Sequence, residues 1–153
     1  MLIGVKMKEV ELILRETGRE YKVNQLNEVD RAVKFCYEYI GKKNTEHFAV
    51  INLNLHLDPI NVILINIGSI SEAKIDISQI VKGALLTNAS GVIIAHNHPA
   101  SDASPSLADD LLTDRVKDSL HLFHITLIDH VIVTPAREEY YSYKENGKIE
   151  TEK

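Results

Sequence analysis

The sequence predicts a mixed α/β domain, and three observations carry that prediction. Residues 46–55 and 60–67 are two apolar stretches flanking Asp58-Pro59, the pattern of a β-hairpin. A segment of helical period separates 60–67 from an apolar run at 91–96. A second such segment separates 91–96 from an apolar run at 124–133. Strands alternating with helices is the order that lays helices against a sheet. At 153 residues the chain suits one domain with its own core, and its 44% hydrophobic and 25% charged residues are an ordinary globular balance.

The elements follow in chain order. Val10, Leu12 and Leu14, set against Glu11 and Arg15, predict a first strand, with a turn at 16–20. Asn27 is placed to cap a helix carrying Ala32, Val33, Cys36, Tyr37 and Ile40, which Gly41 stops. The hairpin occupies 46–67 and ends at Gly68-Ser69. Asp76 caps a helix whose apolar residues Ile77, Ile80, Val81, Ala84 and Leu85 recur at helical spacing. "GVIIAH" at 91–96 is a continuous apolar run, the mark of a strand buried on both faces. A helix to about Leu120 then shows Leu107, Leu111, Leu112 and Val116 as its expected inner stripe, and 124–133 forms a strand. Beyond Pro135 only Tyr140, Tyr141 and Tyr143 offer anchors, and the last ten residues are expected to fray. The expected division is therefore a strand and helix in 1–45, a domain core over 46–143 and a polar tail at 144–153.

Composition excludes several functions. A formal net charge of −5 argues against a large phosphate-binding face. The single cysteine, Cys36, rules out an internal disulfide framework and a multi-thiolate zinc site, and it points to a reducing, cytoplasmic compartment. The opening "MLIGVKMKEVELIL" carries Lys6, Lys8, Glu9 and Glu11, unlike a signal-peptide core, and no uncharged run approaches membrane-spanning length.

The informative stretch is "IAHNHPASDASPSLAD" at 94–109. His96 and His98 are two apart at a strand end, so their side chains share one face while Asn97 takes the other. Two imidazoles on one face at the carboxyl end of a central strand can share a metal ion, and open α/β sheets build sites at such ends. Asp109, on the first turn of the next helix, is the best third ligand, and Asp102 in the intervening loop is the rival. Three protein ligands plus a water make a catalytic zinc site. Ser106-x-x-Asp109 also reads as a capping box, in which both side chains satisfy helix N-terminal amides. The whole pattern His-x-His-x7-Ser-x2-Asp arises by chance in about one chain in a thousand of this length. Other chemistries with similar letters do not fit. The Asp-His pair of metallo-β-lactamases is replaced by Ala100-Ser101, an amidohydrolase barrel needs a far longer chain, and the spread-out ββα nuclease motif is not this tripeptide. The Cys-x-x-Cys pair of nucleobase deaminases is missing.

On these residues the chain resembles the JAMM (MPN+) metalloproteases. The text "LLTNASGVIIAHNHPASDASPS…D…LIDHVIV" resembles their RadC-like branch, from about Glu46 to Tyr143. The resemblance implies the JAB/MPN fold, similar to that of cytidine deaminases: a curved mixed sheet flanked by helices, holding one Zn2+ on His96, His98 and Asp109. It further implies that Glu46, at the start of a strand, is the general acid/base, and that Ser106 stabilises the oxyanion. The chain departs from the RadC-like pattern in having Ser101 where a loop glycine is usual, and Asp76-Ile77-Ser78-Gln79 where His-Pro-Arg-Glu is usual. The helix-hairpin-helix region of full-length RadC proteins has no counterpart within these residues.

The expected function is thus zinc-dependent hydrolysis of peptide or isopeptide bonds, with a peptide or protein as partner and no membrane. The alternatives are a DNA-repair or nucleic-acid accessory role, which the composition does not favour, and a non-catalytic module with a structural zinc. Adjacent residues on a strand face opposite ways, so Asp129 and His130 are expected to be structural or to support the ligands from behind. Cys36 is expected in the core, and the tyrosines at 140–143 in packing of the last strand.

Overall fold

The computed structural model describes residues 7–68, 75–136 and 138–150. Lys6, Ser69 and residues 151–153 of the expectations above lie outside these. A five-stranded mixed sheet organises the chain, in the order β2-β1-β3-β4-β5. The strands are β1 (His47–Leu53), β2 (Pro59–Ile67), β3 (Gly91–Asn97), β4 (Thr126–Val133) and β5 (Tyr140–Ser142). The helices are α1 (Val29–Cys36), continued by a π-helical turn over Tyr37–Gly41, α2 (Ile77–Leu86) and α3 (Leu107–His121). The mixed α/β class predicted from the alternation is the one observed.

β1 pairs antiparallel with both β2 and β3, while β3 runs parallel to β4 through the α3 crossover. β3 is therefore the middle strand, and all seven of its residues are buried. Its alternation sorts them between two layers. Val92 and Ile94 join Phe48, Val50, Ile80, Ala84, Leu112, Val116 and Leu120 in the α2/α3 layer. Ile93 and Ala95 join Ala32, Val33, Cys36, Ile40 and Ile51 in the α1 layer. Each such aliphatic side chain contributes about 1.5–3 kcal/mol on burial, which makes this strand the best-anchored platform in the fold. The same alternation sends His96 toward α3 and Asn97 toward α1. In the antiparallel register with β1, Phe48 stands opposite His96, and the two rings stack 6.4 Å apart.

Several expectations are corrected. Val10, Leu12 and Leu14 are not in a strand: residues 7–17 form no ladder, and Val10 and Leu12 are 78% and 82% exposed. Alternation yields a strand only where a neighbouring strand supplies hydrogen bonds and a face to cover. The N-cap of α1 is Glu28 without a side-chain bond, and Asn27 accepts from Arg31 instead. In α2, Leu85 is exposed and Gly83 is buried in its place, its missing Cβ leaving the room that Ile63 fills. In α3, Leu107 and Leu111 face outward at 75% and 45% exposure, and the buried stripe is Asp109, Leu112, Thr113, Val116 and Leu120. The helix is rotated so that two polar side chains reach partners inside. Residues 144–150 do not fray: Ile149 is buried in the α2/α3 layer, and Lys148 bridges to Asp110 at 2.8 Å.

Candidate metal site

The end of β3 and the first turn of α3 bring His96, His98 and Asp109 together, and their ligand atoms all lie within 4.8 Å of one another. His96 Nε2 is 3.0 Å from His98 Nε2 and 3.3 Å from Asp109 Oδ1, and His98 Nε2 is 3.9 Å from Asp109 Oδ2. His96 is 1% exposed. Burial holds its imidazole well below the usual range, to about 4, against the opposing pull of the Asp109 carboxylate. The neutral ring is the form that ligates metals.

Hydrogen-bond partners assign the tautomers. The Thr113 hydroxyl contacts the Asp109 carbonyl at 2.6 Å, and a carbonyl only accepts, so the hydroxyl proton is spent there. His130 Nδ1, 2.7 Å from that hydroxyl, must then be the donor. Burial and the neighbouring His96 and His98 keep His130 neutral, so its Nε2 carries a lone pair. His96 Nδ1, 2.8 Å away, donates to it, which leaves the lone pair of His96 on Nε2. His98 Nδ1 donates to the Asp102 carbonyl at 2.7 Å, so in the neutral ring the lone pair lies on Nε2. Two imidazole lone pairs and a carboxylate oxygen thus converge on one point. Acceptors at 3.0–3.3 Å repel unless a cation lies between them.

Two of these three separations are close to those at a zinc ion, and the 3.9 Å between His98 Nε2 and Asp109 Oδ2 is wider. Atoms bound about 2.0–2.1 Å from a tetrahedral ion stand about 3.3–3.4 Å apart. The donor set, two imidazoles and one carboxylate, each held from behind by a second group, is one that could hold a divalent transition metal.

Asp109 is both a capping residue and one of the three candidate ligands. Its Oδ2 accepts from Ser106 N and Ser106 Oγ, each at 2.7 Å, while the Ser106 hydroxyl accepts from Asp109 N at 3.2 Å. That is a complete capping box. Oδ1 remains to face His96. The two readings of Ser106-x-x-Asp109 are compatible because a carboxylate has two oxygens. The rival Asp102 turns its carboxylate to Ser104 N and offers the site its backbone carbonyl only.

Asn97, on the opposite side of β3, is fully buried and holds the approach to β1. Its Oδ1 accepts from His47 N at 2.7 Å, and its Nδ2 donates to the carbonyls of Lys43 and Thr45 at 3.2 and 3.1 Å. Glu46 lies inside that clamped segment. It is half-buried, and its carbonyl accepts from Gly68 N at 2.8 Å. With Asn44, Thr45, Gly68 and residues 99–101 it lines an open depression of about 450 Å3 whose far wall follows directly on His98. The three metal-facing residues themselves do not line this depression.

Asp129 and His130 do face opposite ways: Asp129 accepts from Ser142 Oγ at 2.6 Å, and His130 backs His96. Burial pushes the Asp129 carboxyl up, although Ser142 and two backbone amides oppose the shift. Thr113 was not singled out from sequence. Its position four residues after Asp109 on α3 is the only local signal for it. Cys36 is buried and burial raises its thiol pKa, so it is inert core. Tyr143 is buried, stacks on His130 at 4.7 Å and donates to Asp110 at 2.9 Å. His47, His56, His121 and His124 take no part in the cluster. Among the described residues, no helix is long and apolar enough to cross a membrane.

Comparison with known proteins agrees with this geometry. The family model described as RadC-like JAB domain matches residues 26–148. The chain is 46% identical over 139 residues to a UPF0758 protein of Psychrobacter cryohalolentis, covering 86% of this chain and 60% of that protein. It is 35% identical over 133 residues to a UPF0758 protein of Chlorobium chlorochromatii, covering 84% of this chain and 59% of that one. A UPF0758 protein of Thermotoga maritima is 34% identical over 119 residues, 78% of this chain and 52% of its own. The chain therefore spans between half and two-thirds of the length of these curated relatives. With a matched segment that takes in the sheet, α2, α3 and all three metal-facing residues, this chain belongs to the RadC-like JAB domain family.

Proposed function

We propose that the chain is a JAMM-type zinc metallohydrolase acting on peptide or isopeptide bonds. The observation that carries the reading is the convergence of two imidazole nitrogens and a carboxylate oxygen on one point, with Nδ1 of both histidines engaged elsewhere so that Nε2 faces the site. A bound Zn2+ would supply a Lewis acid for the scissile carbonyl and lower the pKa of its water. His96, His98 and Asp109 hold it. Glu46 takes the proton of the attacking water and delivers it to the leaving amine. Register supports that role. Phe48 stands opposite His96, so extending the antiparallel pairing by two residues sets Glu46 opposite His98, on the same face. Ser106 donates to the tetrahedral oxyanion. Its proton rests on Asp109 Oδ2, so this role requires exchanging that bond for one to substrate. The depression beside Glu46 is where the substrate chain lies, and the setting is the cytoplasm.

The test has two steps. Metal analysis of the purified chain should find one zinc, and a panel of quenched peptide and ubiquitin-like isopeptide substrates should then reveal a cleavage that a chelator abolishes. Zinc without any cleavage across the panel, and without an exchangeable water on the ion, would favour the structural-zinc module. The nucleic-acid reading makes a different forecast: DNA binding that persists at physiological salt despite the net charge of −5.

A further inference from the structure

β2 is an edge strand with little protection. Among the described residues it pairs only with β1. Its sequence, PINVILINI, has no charged residue, and Ile60, Leu64 and Ile67 are exposed at 42%, 39% and 61%. Folded proteins guard such edges with lysine, proline, bulges or a covering element. Here Pro59 removes a single amide at the start. Register irregularities near Ile60 and Ile65 still leave the regular run 61–64 open between them.

The same chain carries a segment with the opposite deficiency. Residues 7–17 belong to no helix and pair with no strand among the described residues, and Met7, Val10, Leu12 and Ile13 are 78–96% exposed. Val10, Leu12 and Leu14 keep the alternation of a strand without its sheet. The root of this arm is anchored: Tyr21 packs edge-on against Phe35 and Tyr39, at 5.9 and 5.3 Å between ring centroids. The arm thus leaves the body from the α1 layer, and its apolar side chains find little cover among the described residues.

We propose that residues 10–14 of one copy add as a strand to the outer edge of β2, around residues 61–64, of a second copy. Backbone pairing along an exposed edge is a general mode of association. A second copy is the occupant that fits, because each chain has one arm to donate and one edge to accept. A two-fold exchange satisfies both in both copies. A foreign strand would cover the edge and leave the arm exposed. β2 runs into Gly68, which lines the depression beside Glu46, so the partner's arm would pass along the rim of that depression.

The experiment is independent of metal and of any hydrolysis. Sedimentation of the full chain over a concentration series should show a monomer–dimer equilibrium. Leu12→Pro, in the arm outside the packed core, and Leu64→Lys, on the exposed edge, should each shift it to monomer without changing the far-UV spectrum. Mixing the single variants Leu12→Cys and Leu64→Cys should give a disulfide-linked heterodimer, with Cys36 buried away from the reaction. A monomer at every concentration, or a dimer indifferent to both Leu12→Pro and Leu64→Lys, would overturn the proposal. So would a variant carrying both Leu12→Cys and Leu64→Cys that closes its disulfide within one chain rather than between two.

Discussion

Replacing Asp109 with asparagine separates the two tasks of its carboxylate. The side-chain oxygen can still accept from Ser106 N and Oγ, so the cap survives in neutral form. The amide nitrogen takes the place of Oδ1, 3.3 Å from the lone pair of His96 Nε2, where it can donate. The metal-free variant should therefore stay within about 1 kcal/mol of the wild type, since a weaker cap is offset by relief of the converging acceptors. The zinc response should differ sharply. A ligand present at a hundred times its Kd stabilises the folded state by about 2.7 kcal/mol. In a domain of this size that is a rise in Tm of about 5–10 °C. Chelator-stripped wild type should show this rise on zinc addition, and Asp109→Asn should show none at the same concentration. Asp110→Asn is the control: Asp110 bonds to Tyr143 and Lys148 on the outer side of α3, and the variant should respond to zinc as the wild type does. Equal zinc-induced shifts in Asp109→Asn and wild type would refute the assignment of the third ligand.

Four further outcomes are expected. His96→Ala and His98→Ala should each lose the zinc of the purified chain, read by elemental analysis, and undiminished zinc in both would remove the site. Thr113→Val should leave His130 Nδ1–H without its acceptor, at a cost of about 1–3 kcal/mol in denaturant unfolding. It should also weaken zinc binding about 10–100-fold, as loss of a supporting group does, and an unchanged zinc titration would break the tautomer argument. Glu46→Gln should keep full zinc occupancy and lose any hydrolysis found in the substrate screen; retained turnover would exclude Glu46 as the proton carrier. DNA binding, measured by fluorescence anisotropy, should be weak and should vanish as salt rises to physiological strength, given the net charge of −5.

Much of the site was legible because its geometry is local. Strand period alone places His96 and His98 on one face, and the structure sets their Nε2 atoms 3.0 Å apart. A Ser-x-x-Asp at a helix start announces a cap, and Ser106 and Asp109 form one. The choice between Asp109 and Asp102 was not decided by spacing. It depended on the path of the 99–105 loop, which turns the Asp102 carbonyl, not its carboxylate, toward His98. Glu46 came from family resemblance, because a glutamate opening a strand carries no signal of its own.

What the sequence by itself determined is the alternation of strands and helices, the all-buried middle strand, and the pairing of two histidines at its end. These rest on periodicities of two and 3.6 residues, which a chain carries wherever it folds. The tertiary structure alone decided which face of α3 turns inward. Leucines 107 and 111 suggested one stripe, yet Asp109 and Thr113 occupy the buried one, where Thr113 meets His130 of β4 and Asp109, held by Ser106, faces His96 of β3. It also decided that residues 7–17 join no strand among the described residues of their own chain and that Ile149 and Lys148 hold residues 144–150 against the domain. A polar residue is buried, and an apolar one left in water, according to partners distant in sequence, and no local pattern records where those partners will be.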